Sequence, residues 1–248
     1  MLILGSMPIG NKKDISIRMI ELINSSDLII VETVFKFLKQ VELLNLKYNG
    51  KVIEWNTVFV HDSRFEYIKN QNISIIKDYL SKNLNVLFIS DEGQACLNDP
   101  GYTIVDLTSD IEYNIEIIPG PSVITTAASY GAVNNNGASD FIYWVNIRQN
   151  KEERIDYLTK IKELPIMIVF TSMYPNLINL DVLQDILDTL GNRNITLCMS
   201  LTTSKQEVLN FKIKQLIEKI KLDDEFMCGI GNNYKPLTVV IGTPESAM

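Results

Sequence analysis

The chain of 248 residues is 46% hydrophobic and 21% charged, which is ordinary for a globular protein with enough apolar side chains to form a core. No apolar run approaches the roughly 20 residues that a membrane-spanning helix needs, and the N-terminus lacks the basic and apolar regions of a signal peptide. We therefore expect a cytoplasmic protein without a membrane segment. The net charge of −7 argues against broad, non-specific affinity for nucleic acid but leaves room for a local basic groove.

Seven short runs rich in β-branched residues, each bounded by turn residues, predict buried strands. They cover residues 2–6, 28–32, 86–90, 115–119, 166–171, 195–199 and 237–242. Segments of helical period alternate with them, at residues 14–26, 72–82, 151–164, 181–190 and 212–221. In the first of these, we expect Asp14 to cap the helix and Ile17, Ile20 and Ile23 to share one face. The alternation predicts an α/β fold with a largely parallel sheet covered on both faces.

The positions of the turn-forming residues predict two α/β domains, residues 1–120 and 121–248. The corner Pro119-Gly120-Pro121 ends the first domain in this interpretation. The polar run Asn134-Asn135-Asn136-Gly137 has nothing to bury and predicts a turn, near which we place the connection between the halves.

Metal and nucleotide sites of the common kinds are disfavoured by the residues available. The three cysteines, Cys96, Cys198 and Cys228, are far apart, and His61 is the only histidine, so we expect no metal. Neither a G-x-G-x-x-G pattern after the first strand nor a G-x-x-x-x-G-K-[ST] phosphate loop is found in the sequence, which argues against NAD and nucleoside triphosphates.

Three Gly- and Pro-bearing loops follow predicted strands, where ligands of open parallel sheets collect. They cover residues 6–11, 90–101 and 119–122. Such loops bring bare backbone N–H and C=O groups close to a ligand. Any one of these corners could simply end a strand. Three of them in the same half of the chain favour a ligand site.

Several motifs in these loops resemble those of a known family. Met7-Pro8-Ile9-Gly10-Asn11, with Asp14-Ile15 and Arg18, is similar to the T-P-I-G-N-x-x-D-I-[ST]-x-R signature of small-subunit ribosomal RNA cytidine 2′-O-methyltransferases, in the tetrapyrrole (corrin and porphyrin) methylase superfamily. Residues 90–101 resemble the family's S-D-A-G-T-P-G-I-S-D-P-G, and residues 118–122 keep its I-P-G-P-S corner. Leu190-Gly191-Asn192-Arg193 looks like its L-G-x-R turn. The resemblance covers nearly the whole chain in order.

Departures from the family pattern concentrate on the substrate side. The family usually has E-D-T and a basic cluster after the second strand, whereas residues 32–37 read Glu-Thr-Val-Phe-Lys-Phe. Residues 170–175 replace a loop that normally has a His-Arg pair, and we expect the small C-terminal appendage of many rRNA-modifying members to be absent.

The resemblance implies a homodimeric methyltransferase with S-adenosylmethionine folded in a cleft between two domains. The residues that it places at the cofactor are Met7, Pro8, Ser90, Asp91, Glu92, Gly93, Ser122 and Thr171. Asp91 is the candidate for a cofactor-side carboxylate, with a turn-capping role as the alternative. His61 and Glu32 are the catalytic candidates; a solvated surface histidine, and a helix cap or salt link for Glu32, are the alternatives.

Three functional hypotheses follow. The N-terminal signature favours ribose 2′-O-methylation of rRNA, with rRNA or a ribosomal subunit as partner. The acidity of the chain and the lost arginines favour methylation of a peptide or small metabolite by the same fold. A degenerate protein that binds S-adenosylmethionine without turnover is the third hypothesis.

Overall fold

The computed structural model describes residues 1–55, 63–172, 178–223, 226 and 237–244. The chain divides into two compact units, Met1–Ser122 and Val123–Met248. Each unit has its own five-stranded sheet with helices packed against it. Both units are therefore α/β in architecture, as the sequence predicts. In the described part of the chain, no helix is long and apolar enough to cross a membrane.

The first unit contains an entirely parallel sheet in the order β3-β2-β4-β1-β5. Its strands are β1 (Leu2–Gly5), β2 (Leu28–Val31), β3 (Lys51–Glu54), β4 (Val86–Ile89) and β5 (Ile115–Ile117). Its helices are α1 (Ile17–Ser25), α2 (Val34–Leu44), α3 (Ser63–Ser81) and α4 (Gly101–Leu107), with a 3₁₀ turn at Lys12–Asp14.

Alternation along β1 fills two separate cores of the first unit. Leu2 and Leu4 pack in one cluster with Ile104 of α4, whereas Ile3 packs in the other cluster with Met19 of α1. Side chains of neighbouring strand residues point to opposite faces of a sheet, so both faces of this one need helical cover. The prediction of a parallel sheet covered on both faces is confirmed for this unit.

Helix α1 begins later than the sequence predicts. Ser16 is its cap, because the Ser16 side chain accepts a hydrogen bond from the Met19 backbone N–H at 3.1 Å, whereas Asp14 ends the preceding 3₁₀ turn. Ile17 is 77% exposed, and the fully buried positions are Met19 and Ile23. The cap at Asp14 and the shared face that includes Ile17 were therefore wrong, because a spacing of four residues defines the buried face.

The second unit contains a mixed sheet in the order β6-β7-β10-β8-β9. Its strands are β6 (Phe141–Trp144), β7 (Met167–Ser172), β8 (Asn194–Met199), β9 (Glu207–Lys212) and β10 (Leu237–Ile241). Its helices are α5 (Val123–Asn134), α6 (Lys151–Ile161), α7 (Leu180–Leu190) and α8 (Ile213–Leu222). Among the strands that the structure describes in this unit, β6 and β7 pair in parallel and the other three pairs are antiparallel. The largely parallel sheet was wrong here, because β8 returns directly as β9 through a short connection, which an antiparallel pair permits.

Arg154 and Asn135 are buried polar residues that form hydrogen bonds within the second unit. Arg154 of α6 is 3% exposed and donates to the Asp185 carboxylate of α7, with Nε at 3.1 Å from Oδ2. Asn135 is also 3% exposed, and its Nδ2 donates to the Gly131 carbonyl at 2.7 Å. The polar run that includes Asn135 lies at the end of α5, inside this unit, and its second asparagine is buried and hydrogen-bonded, contrary to the prediction that this run buries nothing.

Candidate active site

The three loops singled out in the sequence meet at one edge of the first unit. Because its strands are parallel, the loops that follow them leave the sheet at the same edge. Met7 and Gly93 pair through two backbone hydrogen bonds of 3.0 and 2.9 Å. The Ser6 hydroxyl donates to the Ile118 carbonyl at 2.8 Å. The loops after β1, β4 and β5 are thus joined by direct contacts.

Glycine is required where these loops touch. Gly93 has a φ of +79°, in the left-handed region that other residues rarely adopt. A Cβ on Gly120 would lie 2.5 Å from the Cβ of Ser6, so the Pro-Gly-Pro corner packs directly against the first loop. Met7, Pro8, Ser90 and Gly93 are buried, whereas Glu92 is exposed. The arrangement presents backbone of defined shape rather than a row of flexible side chains.

Asp91, in the loop after β4, is contacted by residues that follow β2 and by residues of α2. Its N–H donates to Glu32 Oε1 at 2.7 Å, and its carbonyl accepts from Gln40 Nε2 at 3.0 Å. Its Oδ2 accepts from the Thr33 hydroxyl at 3.0 Å and pairs with Lys36 Nζ at 2.9 Å. We call Glu32, Thr33, Lys36 and Gln40 the Asp91 clamp. The Asp91 carboxylate is therefore already engaged within the protein.

The clamp changes the electrostatics of its own members. Burial is the main cause that raises the pKa of Glu32 to about 7; the Asp91 N–H opposes this effect, and the charges of Asp91 and Asp99 add to it. The hydrogen bond to Asp91 raises the pKa of Lys36, which therefore stays charged at neutral pH. Glu32 is consequently the side chain of this cluster whose charge changes near neutral pH.

The loop between β4 and α4 is shaped by Asp99. Its Oδ1 accepts from the Gly101 N–H at 2.6 Å, and burial raises the pKa of its carboxyl. Cys96 and Asn98 both have positive φ, and the family pattern has Gly at the position of Cys96 and Ser at the position of Asn98. Burial also raises the pKa of the Cys96 thiol to about 11, so this cysteine is a neutral thiol at physiological pH.

The remaining predicted site residues fall elsewhere. Thr171 lies on β7 of the second unit, where it is buried and its hydroxyl donates to the Val145 carbonyl at 2.9 Å. Ser122 is the half-buried last residue of the first unit. His61 lies outside the described residues, as do residues 173–175, so the role of His61 stays a prediction.

Over the described ranges, no group of three His, Cys, Asp or Glu side chains is placed to hold a metal ion.

Lys36 and Gln40 are the residues that sequence reasoning missed. They are four positions apart on α2, so they share a face, and α2 begins directly after the strand that ends at the site. That spacing, read together with the position of the helix, was the available signal. It did not reveal that their partner lies more than fifty residues further along the chain.

Comparisons with known proteins show the family of this chain. The family model of the tetrapyrrole (corrin/porphyrin) methylases matches residues 1–217. Ribosomal RNA small subunit methyltransferase I of Thermotoga maritima is 30% identical over 218 residues, which cover 87% of this chain and 90% of that protein.

Solved structures share the fold. A cobalt precorrin-4 methyltransferase superposes with a TM-score of 0.66 at 14% identity, over 97% of this chain and 93% of that one. Uroporphyrin-III C-methyltransferase of Thermus thermophilus, complexed with S-adenosylhomocysteine, gives a TM-score of 0.59 at 12% identity, over 100% and 99% of the two chains. Since the family match spans most of the sequence, this chain belongs to the tetrapyrrole (corrin/porphyrin) methylases and is an S-adenosylmethionine-dependent methyltransferase.

Proposed function

We propose that this protein methylates a ribose 2′-hydroxyl of small-subunit ribosomal RNA. The observation that carries the proposal is the 30% identity, over 87% of this chain, to a relative named ribosomal RNA small subunit methyltransferase I. The P-I-G-N loop at residues 8–11 supports the same branch of the family, since it matches the rRNA signature.

We propose that the cofactor is held by the joined loops of the first unit, through Met7, Pro8 and residues 90–93. Their chemistry fits the group, because a nucleoside with a sulfonium centre is recognised by shape, carbonyl oxygens and nearby negative charge. The backbone pairing of Met7 with Gly93 and the left-handed Gly93 support such a cradle. Ser122 and Thr171 remain proposed contacts from outside these loops.

When bound, S-adenosylmethionine supplies an electrophilic methyl group. The chain then has to orient the acceptor hydroxyl and remove its proton. Orientation in a rigid site is worth roughly 7–11 kcal/mol in favourable cases, so positioning can provide much of the acceleration. Glu32 is the proposed proton acceptor in the described part of the chain, because a pKa of about 7 lets a carboxylate accept a proton at neutral pH. His61 is the second proposed acceptor.

A specific observation favours a second acceptor class. Lys36 stands where the family has its basic cluster, yet it is paired with Asp91, and Glu92 is exposed beside it. Such a surface repels phosphates and suits a neutral or cationic acceptor. A peptide or small metabolite is therefore the alternative substrate, and a protein that binds the cofactor without turnover is the remaining alternative.

An assay of methyl transfer from labelled S-adenosylmethionine distinguishes RNA methylation, methylation of a peptide or metabolite, and binding without turnover. Purified protein and S-adenosylmethionine labelled in the methyl group are incubated in parallel with small ribosomal subunits, deproteinised rRNA, and peptide and low-molecular-weight fractions of a cell extract. We expect label in rRNA, at a linkage that resists alkaline hydrolysis because its 2′-oxygen is blocked. Label in a peptide or metabolite fraction alone would replace the RNA assignment. Cofactor binding with no label in any fraction would favour the non-catalytic alternative.

We also propose that the protein acts as a cytoplasmic homodimer, as the family resemblance implies. Each chain has a mass of 28.2 kDa, so light scattering after gel filtration is expected to give twice that value. A mass of one chain across the concentrations used in the methylation assay would contradict the dimer.

A further inference from the structure

We infer that Lys36 and Gln40 are positioning residues for methyl transfer, which set cofactor affinity by holding Asp91 and with it the loop of residues 90–93. The inference rests on the proposed cofactor role of this loop. Neither residue is part of the family motifs found in the sequence. Both act on one residue of the loop, through two different groups.

Helix α2 separates its side chains into three stripes. Phe37 is 3% exposed and packs in the core, where its ring meets Tyr48 edge-on at 5.4 Å between centroids. Phe35 and Lys39 lie on the solvent side. Lys36 and Gln40 form the third stripe, toward Asp91. A buried stripe opposite the solvent side makes α2 a fixed support for the residues that reach the loop.

The first turn of α2 is also anchored independently of the loop. The Val34 N–H donates to Glu54 Oε2, at the end of β3, at 2.8 Å. Free N–H groups at a helix start need such partners. Lys36 is two residues further along, so its Cα is held in place whether or not its amino group contacts Asp91. The two clamp contacts can then restrain the loop rather than follow it.

Lys36 and Gln40 fix complementary parts of Asp91. Lys36 Nζ lies 2.9 Å from Oδ2 and so fixes the side chain, while Gln40 Nε2 lies 3.0 Å from the carbonyl oxygen and so fixes the peptide plane between Asp91 and Glu92. If that plane turns, the N–H of Glu92 turns with it, beside the Gly93 that pairs with Met7. If this loop is not held in place, binding of the cofactor has to order it, and that cost lowers the affinity for the cofactor.

Lys36 also balances charge at the loop. The charges of Asp91 and Asp99 are part of what raises the pKa of Glu32, and the charge of Asp91 also raises the pKa of Glu92. Removal of Lys36 leaves Asp91 Oδ2 with the hydrogen bond from the Thr33 hydroxyl but without a neutralising charge beside it. A loop with unbalanced like charges spreads over more conformations. The effect of Lys36 on binding should therefore exceed that of a surface ion pair alone.

The test uses the variants Lys36→Met and Gln40→Met, which keep side-chain length, with Lys36→Arg as the conservative variant and Lys39→Met as the matched control on the solvent side of α2. Calorimetry with S-adenosylhomocysteine gives Kd, and steady-state methylation gives KM for S-adenosylmethionine and kcat. We expect Kd and KM to rise about tenfold in the two Met variants, equivalent to about 1.4 kcal/mol, with kcat within about twofold of wild type. Lys36→Arg and Lys39→Met should bind as wild type does.

Each alternative result has a defined meaning. If wild-type protein fails to bind S-adenosylhomocysteine, the proposed cofactor site fails. If wild type binds and Lys36→Met and Gln40→Met bind as Lys39→Met does, the cofactor site stands and this inference is overturned. A fall in kcat at unchanged KM also overturns it, since the residues would then act on the chemistry. Weaker binding that merely follows a lower thermal midpoint overturns it as well, because the role would be structural.

Discussion

Glu32→Gln should make the protein more stable at high pH and hardly change it at low pH. Glu32 has a raised pKa of about 7 against an ordinary value of 4.5, and loss of hydration is the main cause. Gln keeps an oxygen that can accept the Asp91 N–H, so the contact with the loop survives the change. The substitution therefore isolates the cost of an ionised carboxylate at this position.

The sign follows from proton linkage. Between pH 4.5 and about 7 the folded protein holds a proton on Glu32 that the unfolded chain has released. The contribution of Glu32 to stability is therefore fully present below the pKa of the unfolded chain, and it is lost as pH rises through the pKa of the folded protein. One pKa unit is worth about 1.36 kcal/mol, so the difference between 4.5 and about 7 limits the effect of Glu32 on the free energy of unfolding to roughly 3 kcal/mol. Because Glu32 is only partly buried, solvent screening reduces this to about 1–2 kcal/mol.

Urea unfolding of wild type and Glu32→Gln at several pH values measures the effect. The free energies of unfolding should agree at about pH 4 and separate by about 1–2 kcal/mol in favour of the variant by about pH 8. Glu21→Gln, on the exposed side of α1, serves as the control and should show no such separation. A difference that stays constant with pH, or one that favours wild type at high pH, would refute the assignment of a raised pKa to Glu32.

Three further substitutions test packing that the structure defines. Arg154→Met leaves the buried Asp185 without its guanidinium and should cost roughly 3–5 kcal/mol in urea unfolding, much of which Arg154→Met combined with Asp185→Leu should recover. Gly120→Ala places a Cβ 2.5 Å from that of Ser6, so we expect the free energy of unfolding to fall by about 1–3 kcal/mol, with a lower thermal midpoint and weaker binding of S-adenosylhomocysteine. Thr171→Val removes a buried hydroxyl donor and should cost about 1 kcal/mol, with Thr171→Ser close to wild type in the same unfolding assay.

The strands that the sequence did not predict all lie at sheet edges, whereas six of the seven predicted strands lie inside a sheet. All seven predicted strands exist, and β2, for example, is buried along its whole length. The three that escaped prediction are β3, β6 and β9, and each is an edge strand. An edge strand packs against fewer neighbours, so β9 has no fully buried residue and no continuous apolar run to recognise. β5 is the exception, because its β-branched run predicted a strand although it is an edge strand without a buried residue.

The site shows the same division between local and distant information. Gly and Pro corners are local signals, and the loops that they marked do converge in the first unit. The clamp on Asp91 depends on contacts between the β2–α2 segment and the β4 loop, and the spacing of Lys36 and Gln40 on one face of α2 does not reveal that distant partner. The direction of strands in the second unit was hidden for a similar reason, since β10 inserts between β7 and β8 from far along the chain.

The contacts of Asp91 change which carboxylate would face a positively charged ligand. The sequence pointed to Asp91, but its charge is offset by Lys36 at 2.9 Å. Glu92 has an exposed surface, yet loss of hydration raises the pKa of its carboxyl too, while the charge of Lys36 opposes this effect. Glu32 is more buried and therefore acts through a lower effective dielectric, yet its pKa of about 7 means that it is only partly ionised at neutral pH. The negative charge available to a sulfonium group at this edge of the sheet thus changes near neutral pH with the ionisation of Glu32.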